Sequence, residues 1–156
     1  MSLFENNEYR WRETCFVMVD SQTRPSLRQV CEQLGVTFDL GQSTANEQGQ
    51  LETLTIFSPN DFSAMDICFV GGDEVEEQMD ELLSDLRRGL AEPAELERLD
   101  AVARCDARLD VLHFERVMEP LEEDEFLDPG SLLLVLKQLA ELCDGVGVDP
   151  QSGTIL

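Results

Sequence analysis

Lysine is almost missing from this chain. Lys137 stands alone beside ten arginines, and these eleven bases face thirty-three acids in 156 residues. The resulting formal charge of -22 repels phosphate backbones and anionic lipid surfaces, so direct binding to nucleic acid or membrane is not expected. The arginine bias itself is read as codon usage rather than as a set of paired forks. No uninterrupted apolar run approaches the ~20 residues that span a bilayer. The amino terminus, Met1 to Trp11, lacks the basic start and apolar centre of a secretory signal, which leads to the expectation of a cytoplasmic protein. Cys15, Cys31, Cys68, Cys105 and Cys143 form no C-x-x-C pair, and most of them lie in apolar segments. They read as reduced, buried thiols, with no disulfide, metal site or cofactor expected. Histidine, tryptophan and tyrosine occur once each, at His113, Trp11 and Tyr9, which leaves little material for a catalytic constellation.

What the chain does have is a long apolar segment near its end. Leu132, Val135, Leu136, Leu139, Leu142 and Cys143 fall on one helical stripe, and Leu133, Leu134 and Ala140 widen it, predicting a largely buried helix. Ser131 is the expected cap, Gly145 the expected left-handed stop, and a short apolar strand follows. Upstream, Thr14–Asp20 is apolar on both faces and reads as an inner strand. Pro25-Ser26 opens a helix with Leu27, Val30, Cys31 and Leu34 at helical spacing. Val36, Phe38 and Leu40 alternate as a half-exposed strand, residues 41–50 read as a loop, and strands are predicted over Leu51–Phe57 and Met65–Val70. Helices are predicted from Asp73, where Asp73 and Glu76 have capping-box spacing, and from Pro93 to Arg104; Leu109–Val117 is the next strand.

The order βαβββααβαβ in one domain, residues 1–156, predicts an α+β ferredoxin-like two-layer sandwich, a mainly antiparallel sheet with helices on one face. A three-layer α/β fold with a parallel sheet is the alternative. A helix ended by Gly-Val-x-apolar-Asp occurs twice, at Gly35–Asp39 and Gly145–Asp149, which suggests a βαβ pseudo-repeat.

Gly71-Gly72-Asp73-Glu74 resembles the signature of diguanylate cyclases over these residues alone. Val75 stands where that family has Phe, and a helix follows at once, so the stretch is read as a strand-to-helix turn. Residues 119–128 hold six acids without a base, but no alternating oxygen ligands and no bend glycine, so they read as an acidic connector with at most loose cation association. Tyr9-Arg10-Trp11-Arg12-Glu13-Thr14, Cys105 to Glu115 and the block from Asp128 onward resemble an uncharacterised group of small acidic bacterial α/β proteins. That resemblance implies no activity.

Two functions follow as expectations. The first is a non-enzymatic acidic interaction module, binding a protein partner or a second copy of itself, with Tyr9 and Trp11 at the contact because these residue types are enriched at hot spots. The alternative is a small enzyme or ligand-binding domain with a pocket near His113, in which Glu115, on the same strand face, or Asp110 shares a proton or a cation with the imidazole.

Overall fold

The computed structural model describes residues 3–58, 62–90, 92–117 and 130–156. A 3₁₀ turn, Leu3–Glu5, precedes strand β1 (Tyr9–Val19), and the chain continues as α1 (Leu27–Leu34), β2 (Asp39–Ala45), β3 (Leu51–Ser58), β4 (Ser63–Gly71) and α2 (Asp73–Arg88). Then come α3 (Pro93–Ala103), β5 (Ala107–Arg116), α4 (Gly130–Cys143), β6 (Val146–Asp149) and β7 (Thr154–Ile155). The strands form one seven-stranded sheet in the order β2-β3-β4-β5-β1-β6-β7, and every neighbouring pair is antiparallel. The acidic stretch 119–128 lies outside the described residues. Among those residues no helix is long and apolar enough to cross a membrane.

Alternation along the central strands divides the core in two. Cys15, Val17 and Val19 of β1, with Leu109 and Val111 of β5 and Met65 and Ile67 of β4, pack against Val30 and Leu34 of α1 and Leu132, Val135, Leu136 and Leu139 of α4. Phe16 and Met18 of β1, Val70 of β4 and Val148 of β6 point the other way, onto Val75, Met79 and Leu86 of α2 and Leu99 and Val102 of α3. Each such fully buried side chain contributes about 1.5–3 kcal/mol, so both layers are strongly held.

The helices therefore cover both faces of the sheet, not one, and the two-layer expectation is corrected on that point. A strand apolar on both faces, as β1 is, can be satisfied only by a layer above and a layer below. The three-layer alternative has the right layers but the wrong strand direction, since the sheet is antiparallel throughout. The pseudo-repeat is corrected too. The strands β5 and β6 flank β1, whereas β2 lies at the sheet edge with β3, β4 and β5 between it and β1, so the two strand-helix-strand units are not equivalent.

Local chemistry explains most element ends. Ser26 accepts from the Gln29 amide, and the Gln29 side chain accepts from the Ser26 amide, a reciprocal cap on α1. Pro93 occupies the first turn of α3, where its missing N–H costs nothing. Three capping expectations fail. Ser131 lies inside α4, which already begins at Gly130. Asp73 lies inside α2; the cap position is Gly72, whose φ of 77° suits glycine, and no side chain caps it. At the end of α4 the left-handed residue is Asp144, with φ 53°, and the Gly145 amide reaches back to the Ala140 carbonyl at 2.8 Å.

Candidate functional site

The amino-terminal half of β1 reads as a charged run in sequence, yet it is a strand from Tyr9 because its charges are met across the ladder. Register aligns Ser58, Ser63, Glu115 and Arg10 in one row across β3, β4, β5 and β1, and Ile56, Met65, His113 and Glu13 in a second row further in. A bulge between Trp11 and Glu13 gives Arg12 room to turn toward the same face. There Arg10 Nε donates to Glu115 Oε1 at 2.7 Å, with Arg10 Nη2 on the same oxygen, and Arg12 Nη1 donates to Glu115 Oε2 at 2.8 Å. Burial alone would raise the Glu115 pKa. The hydrogen bonds from Arg10 and Arg12 outweigh it and hold this carboxyl below its usual range.

His113 is 2% exposed. Its Nδ1 lies 3.4 Å from Glu13 Oε1, and its Nε2 has no hydrogen-bond partner among the described residues; the same is true of the Oγ of buried Ser63, on the neighbouring strand. Burial lowers the imidazole pKa, with the charge of Arg12 acting the same way and the carboxylates of Glu13 and Glu115 opposing. In the neutral ring the acceptor Glu13 places the proton on Nδ1 and leaves a lone pair on Nε2.

Of the candidate catalytic residues, the structure brings His113 and Glu115 onto one face and puts Asp110 on the other. Asp110 accepts from Arg108 Nε at 2.6 Å beneath α2, and its pKa is raised, first by burial, with Arg108 restraining the rise and Glu74 adding to it. Glu115 is engaged by two guanidinium groups, which disfavour its protonation.

The partner-binding candidates lie on the opposite face of the same strand end. Trp11 is 41% exposed, with Nε1 donating to Thr14 Oγ1 at 3.0 Å, so it does not act as a lid on the core. Tyr9 is half-buried, its ring tilted against Phe57 at 5.9 Å. Sequence reasoning missed Phe4. It is 63% exposed and rests edge-on against Phe114 at 4.9 Å, while Leu3 beside it is buried and its amide is anchored on Asp66 Oδ2 at 3.2 Å. The apolar pair Leu3-Phe4 ahead of the first strand was the available signal. α2 and α3 roof the opposite end of this face, where they pack on Phe16, Met18 and Val70; at the end with Phe4 and Trp11 the described residues place only the 3₁₀ turn.

A cleft of about 740 Å³ lies at the other end of the sheet beside the Gly71-Gly72 turn. Arg24 on its wall is already engaged, stacked 3.6 Å over Phe69 and donating to the Leu51 carbonyl, and Asp106 accepts from the Ser21 amide and hydroxyl. These bonds hold Asp106 below its usual pKa. No group of three or more His, Cys, Asp or Glu residues able to hold a metal occurs among the described residues. All five cysteines are free thiols, and burial, with Asp149 and Glu13 adding, pushes Cys15 up to about 12.

Comparison of the chain with protein-family models, with curated proteins and with solved structures finds no match, so no activity reaches it from a relative.

Proposed function

We propose that this chain is a non-enzymatic, cytoplasmic interaction module that binds a protein partner or a second copy of itself through the aromatic patch of Phe4 and Trp11, with Tyr9 beside them. The observation that carries this reading is the exposure of two large aromatic rings, Phe4 and Trp11, on a part of the sheet face that no helix of the described residues roofs. Aromatic side chains at such a place lose water-exposed area on docking at little entropic cost, which is why they dominate hot spots. Beneath this function we read a ferredoxin-like nucleus: β6-β1-β5-β4 with α1 and α4 on one face, extended by the β2–β3 hairpin and by α2–α3 inserted between β4 and β5.

The second reading, a small enzyme using His113, has one observation in its favour, the unpartnered Nε2 near Ser63. Against it stand the enclosure of the ring and the engagement of Glu115.

The experiment is retention of proteins from a cell extract on the immobilised chain, together with sedimentation of the free chain. A stoichiometric partner, or self-association, is expected for the native protein and should be lost in Phe4→Ser/Trp11→Ala while Leu96→Ser, at an exposed apolar position of α3 over the opposite end of this face, retains it. Absence of both partner and self-association, or a partner indifferent to the double substitution, overturns the reading.

A further inference from the structure

A second feature of the surface was not anticipated from the sequence. On the helix-covered half of the Phe16/Met18 face, a groove of about 300 Å³ opens between α2 and Pro150 of the β6–β7 turn, at the bottom of the size range of ligand sites. Its floor is apolar: Phe16, Met18, Met79 and Leu82. Glu81 and Asp85 stand at its rim, and the exposed side of α2 continues their charge through Glu77, Asp80, Glu76, Glu74 and Asp73, with no base before Arg87.

The one guanidinium in the groove, Arg108, does not offset this field. It is 7% exposed, lies 4.3 Å over the Phe16 ring, and is taken up by Asp110 Oδ1 and Gln78 Oε1, each at 2.6 Å. Arg87 and Arg88 follow only in the last turn of α2, and Arg88, 79% exposed, sits 3.6 Å from Asp85, a surface pair of little energetic weight.

We propose that this groove docks a basic, amphipathic segment of a protein partner, with an apolar or long-stemmed side chain on Met18, Met79 and Leu82 and flanking lysines or arginines against Glu77, Glu81 and Asp85. The proposal rests on the reading of the chain as an interaction module and names the chemistry of what it binds at a surface separate from the aromatic patch. The physical case is charge complementarity around an apolar floor. Carboxylates at the rim steer a cationic segment and fix its register, and the floor supplies burial that a purely electrostatic encounter lacks. Methionine adds adaptability, since its unbranched, polarisable side chain reshapes to varied anchors. A lysine or arginine stem would lie along the same floor while its head stays at the rim.

The test uses the full chain and a fluorescently labelled synthetic peptide of lysines and leucines patterned as an amphipathic helix. Binding at low ionic strength is expected, weakened about tenfold by Glu81→Gln/Asp85→Asn and by Met79→Gln, and less than about twofold by Asp39→Asn/Glu47→Gln, which removes the same charge at the far sheet edge. A peptide with serine in place of leucine is expected to bind about tenfold more weakly. Equal weakening by the remote pair, equal binding of the serine peptide, or no binding at all overturns the proposal. Each of those results leaves the aromatic patch standing if extract capture remains sensitive to Trp11→Ala. Conversely, groove-dependent peptide binding with no Trp11-sensitive capture removes the patch and keeps the groove.

Discussion

At the scale of single residues, His113 shows how burial sets the protonation of a candidate base. Enclosed beside Glu13, it is neutral in the folded state at neutral pH because burial disfavours its charged form. A folded pKa below the unfolded value near ~6.5 means that the unfolded chain binds more protons between the two values. The stability this group contributes is then fully present above ~6.5 and is lost as pH falls through the folded pKa, by at most about 1.4 kcal/mol per pH unit. His113→Gln removes this titration. Urea unfolding at pH 7.5 and 5.5 should therefore show the native chain losing more stability across that interval than the variant loses. An equal loss in both would mean that Glu13 and Glu115 compensate the charged imidazole in full. The sequence placed His113 and Glu115 on one face correctly, because strand alternation is local. It could not reveal that Arg10 and Arg12, more than a hundred positions away, claim the Glu115 carboxylate.

At the scale of elements, legibility followed burial. The helix α4 was read correctly on its inner stripe, where Leu132, Val135, Leu136, Leu139 and Cys143 are buried, because a covered face imposes its period on the residues. The strand β2 was misplaced for the opposite reason: every residue of Asp39–Ala45 is exposed, so nothing enforces an apolar alternation, while Val36, which seemed to begin the strand, is 86% exposed on a loop. β7 is too short to carry a pattern. Glycine positions divide similarly. Gly145 was expected to supply a left-handed backbone, yet its role is proximity: a Cβ there would lie 2.6 Å from the Met18 carbonyl oxygen and 2.9 Å from Val19 Cγ1. Gly145→Ala must push the α4–β6 junction away from β1, and it is expected to cost about 1–3 kcal/mol in chemical denaturation. Gly147→Ala, two residues on, meets nothing closer than Leu156 Cβ at 3.6 Å and should change stability by no more than about 0.5 kcal/mol. Equal effects at both positions would show that β1 and the junction yield easily to each other.

At the scale of the whole molecule the governing quantity is the charge of -22. The arginines offset few of the side-chain carboxylates: Arg24 donates to the Leu51 carbonyl and Arg98 to the Leu156 carbonyl, while Arg10 and Arg12 converge on Glu115, with Glu13 3.9 Å from Arg12. The acids of α2 consequently face water and one another, and their repulsion opposes the compact state. Mild acid would relieve that repulsion, but not cleanly. Loss of the His113 contribution begins below ~6.5, and Glu115 and Asp106, whose pKa values are lowered by their hydrogen bonds, lose theirs at lower pH still; Asp110, raised chiefly by burial, runs the other way. Salt separates the effects, because it screens exposed charges over roughly 8–10 Å at moderate ionic strength and leaves buried pairs nearly untouched. Thermal melts at pH 7.5 should therefore rise when monovalent salt is added to a low-salt buffer, and the gain should shrink in Glu76→Gln/Glu77→Gln/Asp80→Asn, which thins the acidic side of α2. A melting temperature that stays constant or falls with salt would mean that the favourable contacts of the arginines outweigh the repulsion among the acids, and that α2 does not present the strong negative field on which docking of a basic segment depends.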